Sequence, residues 1–227
     1  MSNAEEIIHS NEFQSVSTQL AEAGRFLAER GWAPATSANY SSRLTETSLV
    51  AISRSGVDKY KMNAQDFLAI ALASNETSPG FSVISSHTPA AESVRPSAET
   101  LIHAAIYQAR PEARAVLHAH SSNNTRLSLR FLSQGHLKFK GYEMQKGLEG
   151  QTHHEDIVRV PILANSQDMK SFSVQVFDLL REERDVVGFL IAGHGLYTWG
   201  ASVASARRHI ETFEFLFSCH ALELMGV

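Results

Sequence analysis

Val116-Leu117-His118-Ala119-His120-Ser121 closes the apolar run Ala113 to Leu117, and Ile191-Ala192-Gly193-His194-Gly195-Leu196-Tyr197 closes the run Val186 to Ile191. Short apolar runs of this kind read as buried strands, so both histidine clusters sit at strand ends. Outward from them the pattern alternates. Phe13, Val16, Leu20, Ala23 and Leu27 recur at steps of three and four and predict a helix from Phe13 to Arg30, stopped by Gly31. Further helices are expected over Ala98 to Ala109 before Pro111, over Gln167 to Arg181, and over Ala201 to Met225, the longest. Strands are expected over Ile157 to Leu163 and near Leu137 to Lys140, with a hairpin from Asn39 to Ser53 that breaks near Thr45 to Thr47. Phe67 to Leu72 fits strand or helix equally. Ser74 to Pro96, with Pro79, Gly80, Pro89 and Pro96, reads as a long functional loop. Interleaved strands and helices predict a layered α/β domain over residues 12–227, preceded by a tail over residues 1–11.

Composition narrows the function. In 227 residues, 43% are hydrophobic and 19% charged, enough apolar material for one sizeable core. Twenty basic residues against twenty-four acidic ones, with no basic cluster, argue against nucleic acid. No apolar stretch approaches the roughly 18 to 20 residues of a membrane span, and Met1 to Asn11 lacks the pattern of a secretory leader. The lone cysteine, Cys219, cannot form an intrachain disulfide, so a cytoplasmic location is expected.

His118 and His120 are two apart, so on a strand both imidazoles face one way and can share an ion. Neutral imidazole is a good zinc ligand, and catalytic zinc takes three protein ligands with a position left open. His194, flanked by Gly193 and Gly195, is the candidate third ligand; hydrogen-bonded histidines at strand ends are the plainer alternative. His153 and His154 read as loop residues, His103 as a packed helix residue, and His209, beside Arg207 and Arg208, as part of a solvated face. A metal needs a carboxylate to move protons. Glu143 and Glu99 are the candidates, although Glu143 also suits an ordinary exposed position and Glu99 a first helical turn behind Ser97. Thr36-Ser37-Ala38-Asn39, Ser55-Gly56 and Ser97-Ala98 are turns able to cradle a phosphate, and none matches a nucleotide loop.

In their order, Thr36 and Asn39, Ser55-Gly56, Pro96-Ser97-x-Glu99, His118-x-His120-Ser121 and His194-Gly195 resemble the class II aldolase and epimerase family. Longer strings extend the likeness: Gly31-Trp32-x-Pro34-Ala35-Thr36-Ser37, Glu143-Met144-x-Lys146-Gly147, Pro161-Ile162-x-x-Asn165-x-Gln167-Asp168 and His194-Gly195-Leu196-Tyr197-Thr198-Trp199-Gly200. They point to the branch that dehydrates a phosphorylated ketose. The resemblance implies a three-layer α/β/α domain around a mixed, mostly antiparallel sheet. It also implies one zinc ion on His118, His120 and His194, with phosphate contacts from Thr36, Asn39, Ser55, Gly56 and Ser97. Glu143 is implied as the acid/base, Glu99 as an acid near the zinc, and the assembly as a homotetramer with sites near subunit boundaries. Ala38 departs from the glycine usual before the asparagine, which strains the turn by about 1 kcal/mol or more if φ is positive there. An aldolase or epimerase acting on fuculose or ribulose phosphate, and a catalytically idle scaffold, are the rival readings.

Overall fold

Successive side chains of the strand Ala115–Ala119 enter two different apolar clusters: Ala115, Leu117 and Ala119 pack into one and Val116 into the other. Period-two alternation with both faces apolar requires cover on both sides of the sheet, and that requirement sets the architecture. The computed structural model describes residues 3–45, 47–73, 78–86 and 95–226. In chain order the elements are α1 (Asn3–His9), α2 (Asn11–Glu29), β1 (Tyr40–Arg43), β2 (Leu49–Ser53), β3 (Phe67–Leu72), β4 (Phe81–Ser86) and α3 (Thr100–Ala109). They continue with β5 (Ala115–Ala119), α4 (Ser122–Arg130), β6 (His136–Phe139), β7 (Val158–Leu163), α5 (Met169–Glu182), β8 (Gly188–Ile191), β9 (Gly195–Gly200) and α6 (Val203–Glu223).

One sheet runs in the order β4-β3-β2-β1-β5-β9-β8-β7-β6. Every neighbouring pair is antiparallel except β7 and β8, which lie parallel because α5 carries the chain back between them. Phe13, Leu20 and Leu27 of α2 and Ile210, Phe213 and Phe217 of α6 share a cluster on one face. Ile102 and Ile106 of α3 and Phe172, Val176 and Leu180 of α5 share a cluster on the other. The result is the expected three-layer α/β/α arrangement around a mostly antiparallel sheet.

Several local expectations change. Residues 3–9 form a helix rather than a tail, and Ile8 is 3% exposed in the α2 cluster. Phe67–Leu72 is a strand, paired on both sides. The stretch expected as one loop contains β4, whose pairing with β3 adds a sheet edge; its residues 74–77 and 87–94 lie outside the described residues. The helix α4 went unread because Leu127 is its one buried apolar side chain. Among the described residues no helix is long and apolar enough to cross a membrane.

Candidate metal centre and anion cavity

β5 and β9 pair so that His118 lies opposite Tyr197, and the two rings stack at 3.9 Å and 10°. His118 donates from Nδ1 to the Leu196 carbonyl at 2.9 Å, which leaves Nε2 as a free lone pair. That atom is 3.3 Å from Nε2 of His194. His120 lies just past β5, held by its backbone N–H donating to Trp32 O at 2.7 Å, with its ring 4.4 Å from that of His118 and 4.8 Å from that of His194. One ligand atom from each of the three histidines lies within 4.8 Å of the others. The flanking glycines are required: Gly193 has φ +66°, and a Cβ on Gly195 would stand 2.3 Å from Ala119 O and 2.9 Å from His118 Cε1.

Burial first, and then the neighbouring histidines, push the pKa of His118 well below its ordinary value and that of His120 down to about 4. Both are neutral imidazoles at neutral pH, and Nδ1 of His194 is buried without a partner. Three crowded imidazoles, one with its tautomer fixed by a carbonyl, form a donor set that suits a borderline divalent cation such as zinc.

Glu99 joins this cluster. Its side chain makes no helix-capping bond; Oε1 lies 3.0 Å from Nε2 of His194 and Oε2 lies 3.8 Å from Nε2 of His118. Asn39 Nδ2 and Tyr197 OH, the latter at 3.1 Å, both donate to its Oε2. With Nδ2 of Asn39 committed in this way, its Oδ1 accepts from His103 Nε2. His103 Nδ1 then accepts from Ser41 Oγ at 2.7 Å, and Ser41 accepts from Tyr107 OH at 2.9 Å. Every donor in this buried chain points towards Glu99, which accepts at its end. Burial opposes the charge on Glu99, but the hydrogen bond to His194, the adjacent His118 and His194 rings and the Asn39 amide outweigh it and hold the carboxyl well below its usual range. His103, fully buried as expected of a packed histidine, has its pKa pushed down to about 3 by that burial.

A cavity of about 270 Å³ opens beside the histidines. Thr36, Ser55, Gly56 and Ser97 line it, with His120 and Glu99 on the same wall. Asn39 also lines it, although both ends of its amide are engaged within the protein. Ala38 does have positive φ, +70°, and Ala35 has φ +55°. A larger cavity of about 600 Å³ lies beside Arg110 and Trp199 at the far end of β9, so chemistry rather than size marks the site. Arg54 lines the smaller cavity and Lys59 lies buried behind it; neither was singled out from the sequence, where an isolated cation carries no signal. Tyr197 was missed as well, because only strand register reveals that it faces His118.

Glu143 is not brought to the histidines within one chain. It is exposed on the one-turn helix Glu143–Gly147, bonded to Lys146 Nζ at 2.7 Å and within 3.4 Å of His154 Nδ1. β6, which leads to it, is three strands from β9, about 14 Å across the sheet. It also runs away from the sheet end that carries His194, since Phe139 pairs with Val158 at the start of β7. His153 and His154 lie in a loop, as expected. His209 does not lie on a solvated face: it is fully buried, its Nδ1 donates to Trp199 O at 2.7 Å, and its Nε2 accepts from the Glu149 N–H at 3.1 Å. The adjacent arginines mislead because they occupy other faces of α6.

Similarity to known proteins agrees with this geometry. The family profile described as Class II Aldolase and Adducin N-terminal domain matches residues 18–221. A methylthioribulose-1-phosphate dehydratase of Pseudomonas fluorescens (strain Pf0-1) is 45% identical over 206 residues, 91% of this chain and 92% of that protein. A protein of the same name from Sorangium cellulosum (strain So ce56) is 42% identical over 211 residues, 93% of each chain. The L-fuculose-1-phosphate aldolase of Thermus thermophilus shares the fold, with a TM-score of 0.66 at 22% identity over 97% of this chain and 96% of that one. With its sheet order, its three converging histidines and a profile match over most of its length, the chain belongs to the class II aldolase and adducin N-terminal domain family.

Proposed function

We propose that the chain dehydrates 5-methylthioribulose 1-phosphate to 2,3-diketo-5-methylthiopentyl 1-phosphate, a cytoplasmic step of methionine salvage, with one zinc ion on His118, His120 and His194. The observation that carries this reading is the cavity lined jointly by His120, Glu99 and the turn residues Thr36, Ser55, Gly56 and Ser97. Such turns favour a phosphate. The relatives at 42–45% identity that bear the dehydratase name supply the choice of ketose.

When bound, zinc supplies Lewis-acid chemistry, polarising the ketose oxygens and stabilising negative charge that develops on them. Glu99, held as a carboxylate by Asn39 and Tyr197, accepts the proton from C3. The C4 hydroxyl leaves with a proton as water, and the enol that remains tautomerises to the diketone. Glu143 of the partner subunit in a homotetramer serves as the proton donor at C4. Burial at a subunit boundary would raise its carboxyl from the lowered position that hydrogen bonding to Lys146 gives it in the free chain.

The test offers purified, zinc-loaded protein 5-methylthioribulose 1-phosphate, fuculose 1-phosphate and ribulose 5-phosphate in parallel. Diketone from the first and no reaction with the others is expected. Cleavage of fuculose 1-phosphate or epimerisation of ribulose 5-phosphate, without dehydration, would refute the assignment, and absence of all three reactions would favour an idle scaffold.

A further inference from the structure

Lys59 opens the one-turn helix Lys59–Lys61 and is 1% exposed, unusual for an ammonium. Its Nζ donates to Val57 O at 3.0 Å and to Thr36 O at 3.4 Å. Those carbonyls belong to two separate turns, one before β1 and one after β2, and both turns line the cavity. Two bonds leave the ammonium a third donor. Among the described residues Lys59 has no carboxylate in salt-bridge range, although Asp66 and Asp58 are near enough to oppose the fall of its pKa to about 8 that burial causes. Its charge is also felt at His120.

Arg54, the one cation on the cavity wall among the described residues, is already committed: its Nε and Nη2 donate to Asp66 Oδ1 at 3.0 and 2.7 Å. That pair is neutral overall, and Glu99, which also lines the cavity, adds a negative charge. Among the described residues lining the cavity, no side-chain cation other than the paired Arg54 faces an entering phosphate dianion.

We propose that Lys59 is the charge-compensating and positioning residue of the anion site: from behind the wall it ties the Thr36 and Val57 turns together and supplies the positive charge that a phosphate group requires. This inference rests on the cavity's being the phosphate subsite of the proposed reaction. A purely structural lysine would hold the two turns without altering anion affinity.

The test compares full-length, zinc-loaded wild type, Lys59→Gln and Lys59→Met. Inorganic phosphate is the competing ligand and 5-methylthioribulose 1-phosphate the substrate, with thermal unfolding measured alongside. Gln keeps an N–H donor for the carbonyls and removes the charge, while Met removes both and relieves a desolvated ammonium, so at least one variant is expected to fold. The proposal expects the inhibition constant of phosphate and the KM for the ketose phosphate to rise at least tenfold in each folded variant, with kcat changed less than threefold. Phosphate inhibition and KM equal to wild type in a folded variant overturn the role of Lys59 and leave the cavity assignment standing. Wild type that neither turns over the ketose phosphate nor is inhibited by phosphate overturns the cavity assignment, and Lys59's role with it.

Discussion

Replacing Gly195 by alanine probes the join between fold and metal centre. The added methyl would meet Ala119 O at 2.3 Å and His118 Cε1 at 2.9 Å, where ordinary contact begins at about 3.4 Å. The nearer atom is backbone, so no rotamer change relieves the clash; β5 and β9 must part by roughly 1 Å at the pair Ala119 and Leu196. Overpacking of this kind costs about 1–3 kcal/mol. At roughly 2–4 °C per kcal/mol for a chain of this size, the melting temperature of the metal-free protein should fall by about 2–12 °C. Moving the His118 ring should also weaken zinc binding about 10–100-fold. Melting curves recorded across a zinc titration read both effects. Ligand at 100 times its Kd stabilises wild type by about 2.7 kcal/mol, and the variant should need correspondingly more zinc for the same upward shift. A variant that melts with wild type and responds to the same zinc concentrations would refute the claim that close strand approach builds the site.

Three further outcomes are expected. Glu214 on α6 is buried, accepts from Asn124 Nδ2 at 2.8 Å, and has its carboxyl raised from 4.5 to about 7 by burial against hydrogen bonds from Ser121 and Asn124. The folded state therefore keeps a proton that the unfolded chain releases, and stability falls as pH rises from about 4.5 through 7; Glu214→Gln should gain on wild type by on the order of 3 kcal/mol at pH 8 and little at pH 4.5, in denaturant titrations at the two pH values. Exposed Ala35 sits at φ +55°, a conformation that costs an L-residue about 1–2 kcal/mol, so Ala35→Gly should raise the unfolding free energy measured in urea by up to about 1 kcal/mol after the glycine's entropy is subtracted. The same change at Ala38 should be near neutral, because it also removes a buried methyl worth about 0.8 kcal/mol. Glu143→Gln should keep zinc and lose turnover of the ketose phosphate by orders of magnitude, with near-normal activity counting against its role; a sedimentation mass of one chain would count against delivery from a partner.

The layered fold was legible because its signals are local and periodic: the steps of three and four in α2 and the two-sided apolar runs of β5 and β8 follow from burial on one stripe or on both faces. The histidines were legible by type and spacing. What the residues could not disclose was pairing register. Tyr197 beside His118, and the route from Tyr107 through Ser41, His103 and Asn39 to Glu99, join positions up to about 80 residues apart, and nothing in a linear string fixes which strand faces which. Glu99 looked like a first-turn helical acid because its place in the chain suits one, and its side chain turns elsewhere because Asn39 and Tyr197 donate to it. His209 shows the opposite error, where charged neighbours in sequence hid a ring that α6 directs inward.

The ladder between β5 and β9 also decides where this chain can change in length. A slip of one residue along it would turn His118 to the opposite face of the sheet, so neither strand tolerates a single insertion. The polar loop between Phe139 and Val158 bears no such constraint from the ladder. A library of inserted residues should yield zinc-binding clones from that loop and none from the two strands.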